Sequence, residues 1–141
     1  MSCQIGEPQE IPPLTGAPQH LRENHGNRFL LMRWANFVRG YYGVPVYLVG
    51  SALLDFNSRP RDWDVRIFID NEQFARRFGD RDQWEKERTS GMWTDVSWKW
   101  SDECVKRSRE GAEHTHLNVD FQILPQIMRG TFNTLLRIDN R

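Results

Sequence analysis

Residues Tyr47–Asp70, YLVGSALLDFNSRPRDWDVRIFID, decide the fold. Val46–Val49 is short, β-prone and almost wholly apolar, the pattern of a strand buried on both faces. Gly50-Ser51 turns the chain, Ser51–Phe56 reads as one or two helical turns, and the loop Asn57-Ser58-Arg59-Pro60-Arg61 ends them. From Asp62 to Ile69 the residues alternate, which predicts a second strand. Trp63, Val65, Ile67 and Ile69 then point to one side, and Asp62, Asp64, Arg66 and Phe68 to the other. His116–Leu124 repeats the pattern, with Val119, Phe121 and Ile123 opposed to Asn118, Asp120 and Gln122. If the two strands are neighbours, Asp62, Asp64 and Asp120 share one polar sheet face.

Working outward, Met1–Gln19 carries Pro8, Pro12, Pro13 and Pro18 and predicts an extended arm, not a packed element. Residues 20–141 then form one domain. Between His20 and Tyr42, Leu30, Trp34, Phe37, Val38 and Tyr41 recur at helical spacing, and Gly40, Gly43 and Pro45 mark the helix end. Asn71–Phe78 reads as a helix with Phe74 and Phe78 four apart. In Gly79–Trp100, Val96, Trp98 and Trp100 suggest one side of an added strand. Asp102–Gly111 predicts a short helix between an Asp cap and a glycine stop, and the tail predicts one helix around Ile127–Leu136. The expected fold is α/β (α+β): a small mixed sheet of three to five strands, helices on one face and the functional site on the other.

A chain of 141 residues has room for one real core and no second domain. Lys plus Arg and Asp plus Glu balance at 19 each, which argues against nucleic-acid binding by bulk charge, so any basic site must be local. Cys3 and Cys104 are too few for a disulfide framework and do not make a CxxC pair. No apolar run approaches the roughly 18 residues of a membrane span, and no leader-like segment opens the sequence. A soluble, cytoplasmic protein that binds no membrane is expected.

Three carboxylates on one face repel one another, and some stay protonated unless a cation sits among them. Mg²⁺ is the natural occupant, because it prefers a few carboxylate oxygens together with waters and substrate phosphates. A pair of such ions lowers the pKa of an attacking hydroxyl and neutralises a leaving pyrophosphate. Gly50-Ser51 supplies the complement: a glycine lets backbone approach a ligand closely, and the helix start that follows offers N–H groups and a hydroxyl to phosphate.

Val49-Gly50-Ser51, Asp62-Trp63-Asp64-Val65 and Val119-Asp120-Phe121 together resemble the pattern of the DNA polymerase beta-type nucleotidyltransferase superfamily. The run from Gly50 to Asp64 is also similar to the signature of CCA-adding and poly(A)-adding enzymes. The resemblance covers Val46 to Leu124. It implies transfer of a nucleoside monophosphate from a nucleoside triphosphate to a hydroxyl on RNA, protein or a small molecule. Asp62 and Asp64 would bind two Mg²⁺ ions, Asp120 would complete the metal site and help activate the acceptor, and Gly50 and Ser51 would hold the triphosphate. It further implies a minimal member completed by a homodimer or a partner chain. The chain departs from that pattern at Leu54 and Asp55, where minimal members carry a small residue, and it has no counterpart of the tRNA-binding helical domains.

Other residues keep two readings. Arg66 contacts a phosphate or forms a salt bridge with Asp64. Arg59 and Arg61 belong to a solvated loop or to the nucleotide site. His114 and His116 fall on the Asp120 face if that strand extends back to them, which would suit a transition metal. The tryptophans from Trp84 to Trp100 build core or contact an acceptor or partner. At the level of function, the rival to an enzyme is a catalytically silent module of the same fold that binds a nucleotide or protein; a weaker one is RNA binding through the Trp-rich segment.

Overall fold

The structure is a computed structural model that describes residues 9–11, 25–50 and 62–140. Its strands are β1 (Gln9–Ile11), β2 (Tyr47–Val49), β3 (Trp63–Ile69), β4 (Val119–Pro125) and β5 (Thr134–Arg137). The helices are α1 (His25–Tyr42), α2 (Asn71–Arg77), α3 (Arg81–Ser90) and α4 (Asp95–Thr115), with a 3-10 turn at Gln126–Thr131. The strands form one mixed sheet in the order β1-β5-β2-β3-β4. β3 and β4 are parallel, β2 is antiparallel to both β3 and β5, and β1 is parallel to β5. This is the α+β arrangement expected.

Alternation in β3 and β4 sorts the two faces. Val65, Ile67, Ile69, Phe121 and Ile123 are all fully buried on one of them. Phe121 meets Trp34 edge-on at 5.8 Å between ring centroids and Tyr42 at 6.0 Å, so α1 packs over this face. Burying one such ring contributes about 1.5–3 kcal/mol. α2 and α3 add a chain of edge-to-face contacts from Phe74 to Trp84 and on to Trp100, with centroids 5.4 and 5.3 Å apart. The outer edge of β4 is closed by α4. Ser108 Oγ accepts from the Phe121 N–H at 2.8 Å, Cys104 Sγ accepts from the Ile123 N–H at 3.5 Å, and Trp100 Nε1 donates to the Ile123 carbonyl at 2.6 Å. An open strand edge is thereby satisfied by side chains.

The largest departure from expectation is α4. Val96, Trp98 and Trp100 belong to a helix, not a strand, and that helix runs well beyond Asp102–Gly111 at both ends. Its buried residues, Ser97, Trp100, Cys104, Arg107, Gly111 and Thr115, follow the helical period. Trp98 is 56% exposed, so the apparent alternation was accidental. The helix starts early because Glu87 on α3 accepts the Thr94 N–H at 2.7 Å, which supplies the N-terminal cap from outside. Gly111 does not stop it. A Cβ there would lie 2.8 Å from the Trp34 ring, so this glycine serves close packing of α1 on α4.

Other corrections follow the same logic of tertiary partners. In α1 the buried stripe is Leu31, Trp34, Ala35, Val38 and Tyr42, while Phe37 and Tyr41 are more than half exposed. The strand expected from His116 begins at Val119, because His116 takes the left-handed conformation (φ 59°) that ends α4. The tail is not a helix around Ile127–Leu136. It forms the 3-10 turn and then β5, where Leu135 and Leu136 are buried and Leu136 pairs with Leu48. Of the amino-terminal arm only Gln9–Ile11 is described, and contrary to the expectation of an unpacked arm these residues pair with Thr134–Leu136 at the sheet edge. The expected turns over Ser51–Phe56 and the loop through Arg61 lie outside the described residues.

Candidate functional site

The polar face of β3 and β4 sets Asp64 beside Asp120, with Asp62 at the strand start. Asp64 and Asp120 are register partners on adjacent parallel strands, which lie about 4.8 Å apart. Asp62 stands just before β3, exposed, and its Oδ1 accepts from Asn118 Nδ2 at 2.6 Å. With the Trp63 N–H donating to the Asn118 carbonyl at 2.8 Å, Asn118 ties together the starts of the two strands. Asn118 was placed on this face by alternation, but its link to Asp62 needed the parallel register, which no local pattern announces.

Gly50 follows β2 and approaches the same point. Its φ of 79° suits glycine, and a Cβ there would lie 2.5 Å from Asp64 Oδ2. Any larger residue would displace the carboxylate. Ser51, Arg59 and Arg61, expected beside Gly50 in the nucleotide site, lie outside the described residues.

Arg66 lies near the acids, as its salt-bridge reading expected. Its Nη2 is 4.0 Å from Asp64 Oδ1 and 3.7 Å from Asp120 Oδ2. Its Nη1 donates to the backbone carbonyls of Val65 at 3.0 Å and Asp120 at 2.6 Å. The guanidinium is therefore anchored by backbone and only approaches the carboxylates. The carboxyl of Asp64 is raised above its ordinary value, by burial first and then by Asp120 and Asp62, even though Arg66 pulls it down. Burial, more than either neighbouring acid, keeps the charged form of Asp64 disfavoured despite Arg66.

The donor set suits a hard divalent cation: carboxylate oxygens, one of them on a side chain whose charged form is disfavoured, beside a glycine backbone that leaves room for phosphate. Among the described residues no three His, Cys, Asp or Glu side chains stand together as a ready-made metal cluster. The acids meet with Arg66 between them.

Next along the face, Arg137, Tyr47 and Arg66 lie side by side across β5, β2 and β3 in register. Arg137 pairs with Asp139 at 3.0 Å, and Asp139 in turn accepts the Val46 N–H at 2.8 Å. Arg137 went unnoticed because its strand was read as helix. Phe68 and Phe132 close this end of the face, 5.7 Å apart. The histidines do not join the site. His114 sits in the last turn of α4 and His116 is its C-cap, so neither extends the Asp120 strand. The tryptophans gather at the α3–α4 junction, with Trp100 bonded at Ile123, three residues along β4 from Asp120. Three strand residues correspond to about 10 Å.

Comparison with protein-family models, with curated proteins and with solved structures finds no match. Among the described residues no helix is long and apolar enough to cross a membrane.

Proposed function

We propose that this chain is a nucleotidyltransferase that moves a nucleoside monophosphate from a nucleoside triphosphate to a hydroxyl acceptor and releases pyrophosphate. The observation that carries the reading is the pairing of Asp64 with Asp120 in register, with Asp62 two residues upstream and the Gly50 backbone against Asp64. Asp62, Asp64 and Asp120 are the residues that would hold Mg²⁺, two ions in all. When bound, the ions supply charge neutralisation for the pyrophosphate and acidify the attacking hydroxyl.

The chain's own residues account for the rest. Gly50, with Ser51 after it, would offer backbone N–H groups to the triphosphate, and Arg59 and Arg61, which precede Asp62 in the sequence, would add positive charge to it. Asp120 would help activate the acceptor hydroxyl, taking up its proton as the oxygen attacks the α-phosphorus and the bond from that phosphorus to the bridging oxygen of the leaving pyrophosphate breaks. Arg66 adds a positive charge that does not depend on solvent. The acceptor is RNA, a protein or a small molecule, and a second copy or a partner chain completes its binding surface.

One observation favours the silent-module reading: Arg66 already stands at ion-pair distance from two of the three acids. Calorimetric titration of each nucleoside triphosphate, with and without Mg²⁺, into the wild type and Asp64→Asn separates the two. Binding that needs Mg²⁺ and disappears in the variant supports the transferase. Absence of binding under all conditions turns the conclusion to a silent module that acts on a protein partner.

A further inference from the structure

The acidic face holds a buried cation of its own, and its attachment is unusual. Arg66 is only 9% exposed, and both hydrogen bonds from Nη1 go to backbone carbonyls, of Val65 and Asp120. Backbone anchors on two adjacent strands do not swing away when a ligand arrives. The charge of Arg66 is therefore held beside the Asp120 and Asp64 carboxylates, 3.7 and 4.0 Å away. A buried arginine held this way is costly to desolvate, and the two carboxylates are what offsets that cost.

We propose that Arg66 is the resident counter-ion of the acidic site and couples metal entry to nucleotide binding. This rests on the metal-site reading above and adds the regulation of that site. With Arg66 in place, a divalent cation alone meets two carboxylates, Asp64 and Asp120, already offset by one positive charge, so the empty protein binds free metal weakly. A metal-bound triphosphate brings its own negative charge, which the same guanidinium attracts. The site thus discriminates against free metal and in favour of metal carried by nucleotide, and in the absence of either it remains folded without leaving its acids uncompensated. Arg66 acts through the carboxylates and is a positioning residue.

The test uses Mn²⁺ alone as the probe, followed by electron paramagnetic resonance on the whole chain, in the wild type and in Arg66→Gln. Glutamine removes the charge and keeps an amide donor on a side chain two bonds shorter, so the variant's folding is read separately by the melting temperature. Arg66→Gln is expected to bind Mn²⁺ about tenfold more tightly than the wild type, the order of effect of one charge a few Å away in a partly solvated site. Its melting temperature in chelator falls below the wild-type value and recovers in Mn²⁺. A merely structural arginine would not make metal binding tighter when removed. Wild type and a folded Arg66→Gln binding Mn²⁺ equally well would overturn the counter-ion role alone. Failure of both folded proteins to bind Mn²⁺ would overturn the metal-site reading with it. Should Arg66→Gln be unfolded in chelator, folding in millimolar Mn²⁺ supports the proposal, and remaining unfolded in Mn²⁺ overturns it.

Discussion

Two acidic regions of this protein are built to opposite specifications. Glu87 on α3 is almost fully buried, and its carboxylate is saturated: Thr94 Oγ1 at 2.6 Å, the Thr94 N–H at 2.7 Å, Gln83 Nε2 at 2.7 Å and the Ser97 N–H at 3.4 Å. Burial would raise its pKa, but those hydrogen bonds outweigh it and hold the carboxyl down to about 2. Asp64 faces the reverse balance. Burial raises it, Asp120 and Asp62 raise it further, and Arg66 offsets only part. A carboxylate that serves the fold is surrounded by donors until its charge is comfortable. Asp64, raised chiefly by burial with Arg66 at 4.0 Å as its charge partner, is arranged for something that arrives later.

Substitutions can break or sharpen this contrast. The largest loss of stability is expected for Glu87→Ala, which uncaps α4 and strands the donors of Thr94, Ser97 and Gln83. Thermal denaturation followed by circular dichroism should give this variant the lowest midpoint of the set. The pH dependence has a definite sign. Because Glu87 is depressed from its ordinary 4.5 to about 2, its contribution is fully present above 4.5 and is lost as pH falls through about 2. Glu87→Gln should remove that part of the acid dependence. Gly50→Ala comes next. The left-handed backbone alone costs about 1–2 kcal/mol, and the new methyl must push Asp64 aside. Urea denaturation and Mn²⁺ binding should both report a loss.

Asp64→Asn should behave unlike either. The ionised form of Asp64 is disfavoured in the fold, so its replacement should leave the melting temperature at neutral pH unchanged or raised, while Mg²⁺-dependent nucleotide binding disappears. A large fall in stability would show that Asp64 is a structural carboxylate like Glu87. The smallest effect is expected for Trp98→Ser. This side chain is 56% exposed on the helix that covers the β4 edge, so stability should shift by no more than about 0.5 kcal/mol and nucleotide affinity should not change. Altered nucleotide affinity would bring the tryptophan cluster back as a contact surface.

What the sequence determined by itself was the pair of two-faced strands and the face on which Asp62, Asp64, Arg66 and Asp120 lie. Alternation is a local property of extended backbone, so the side each residue takes was legible once β3 and β4 were recognised. Gly50 at the end of a buried strand was legible from the apolar run Val46–Val49 before it. Tertiary structure alone decided the register that sets Asp64 opposite Asp120, the anchoring of Arg66 to the carbonyl of a neighbouring strand, and the link from Asn118 to Asp62. It also decided that the segment from Val96 to Trp100 is helical, because its cap comes from Glu87 on another helix, and that Leu135 and Leu136 are strand, because β2 offered them an edge. Each of these depends on a partner far away in the chain, and a local period cannot report a distant partner.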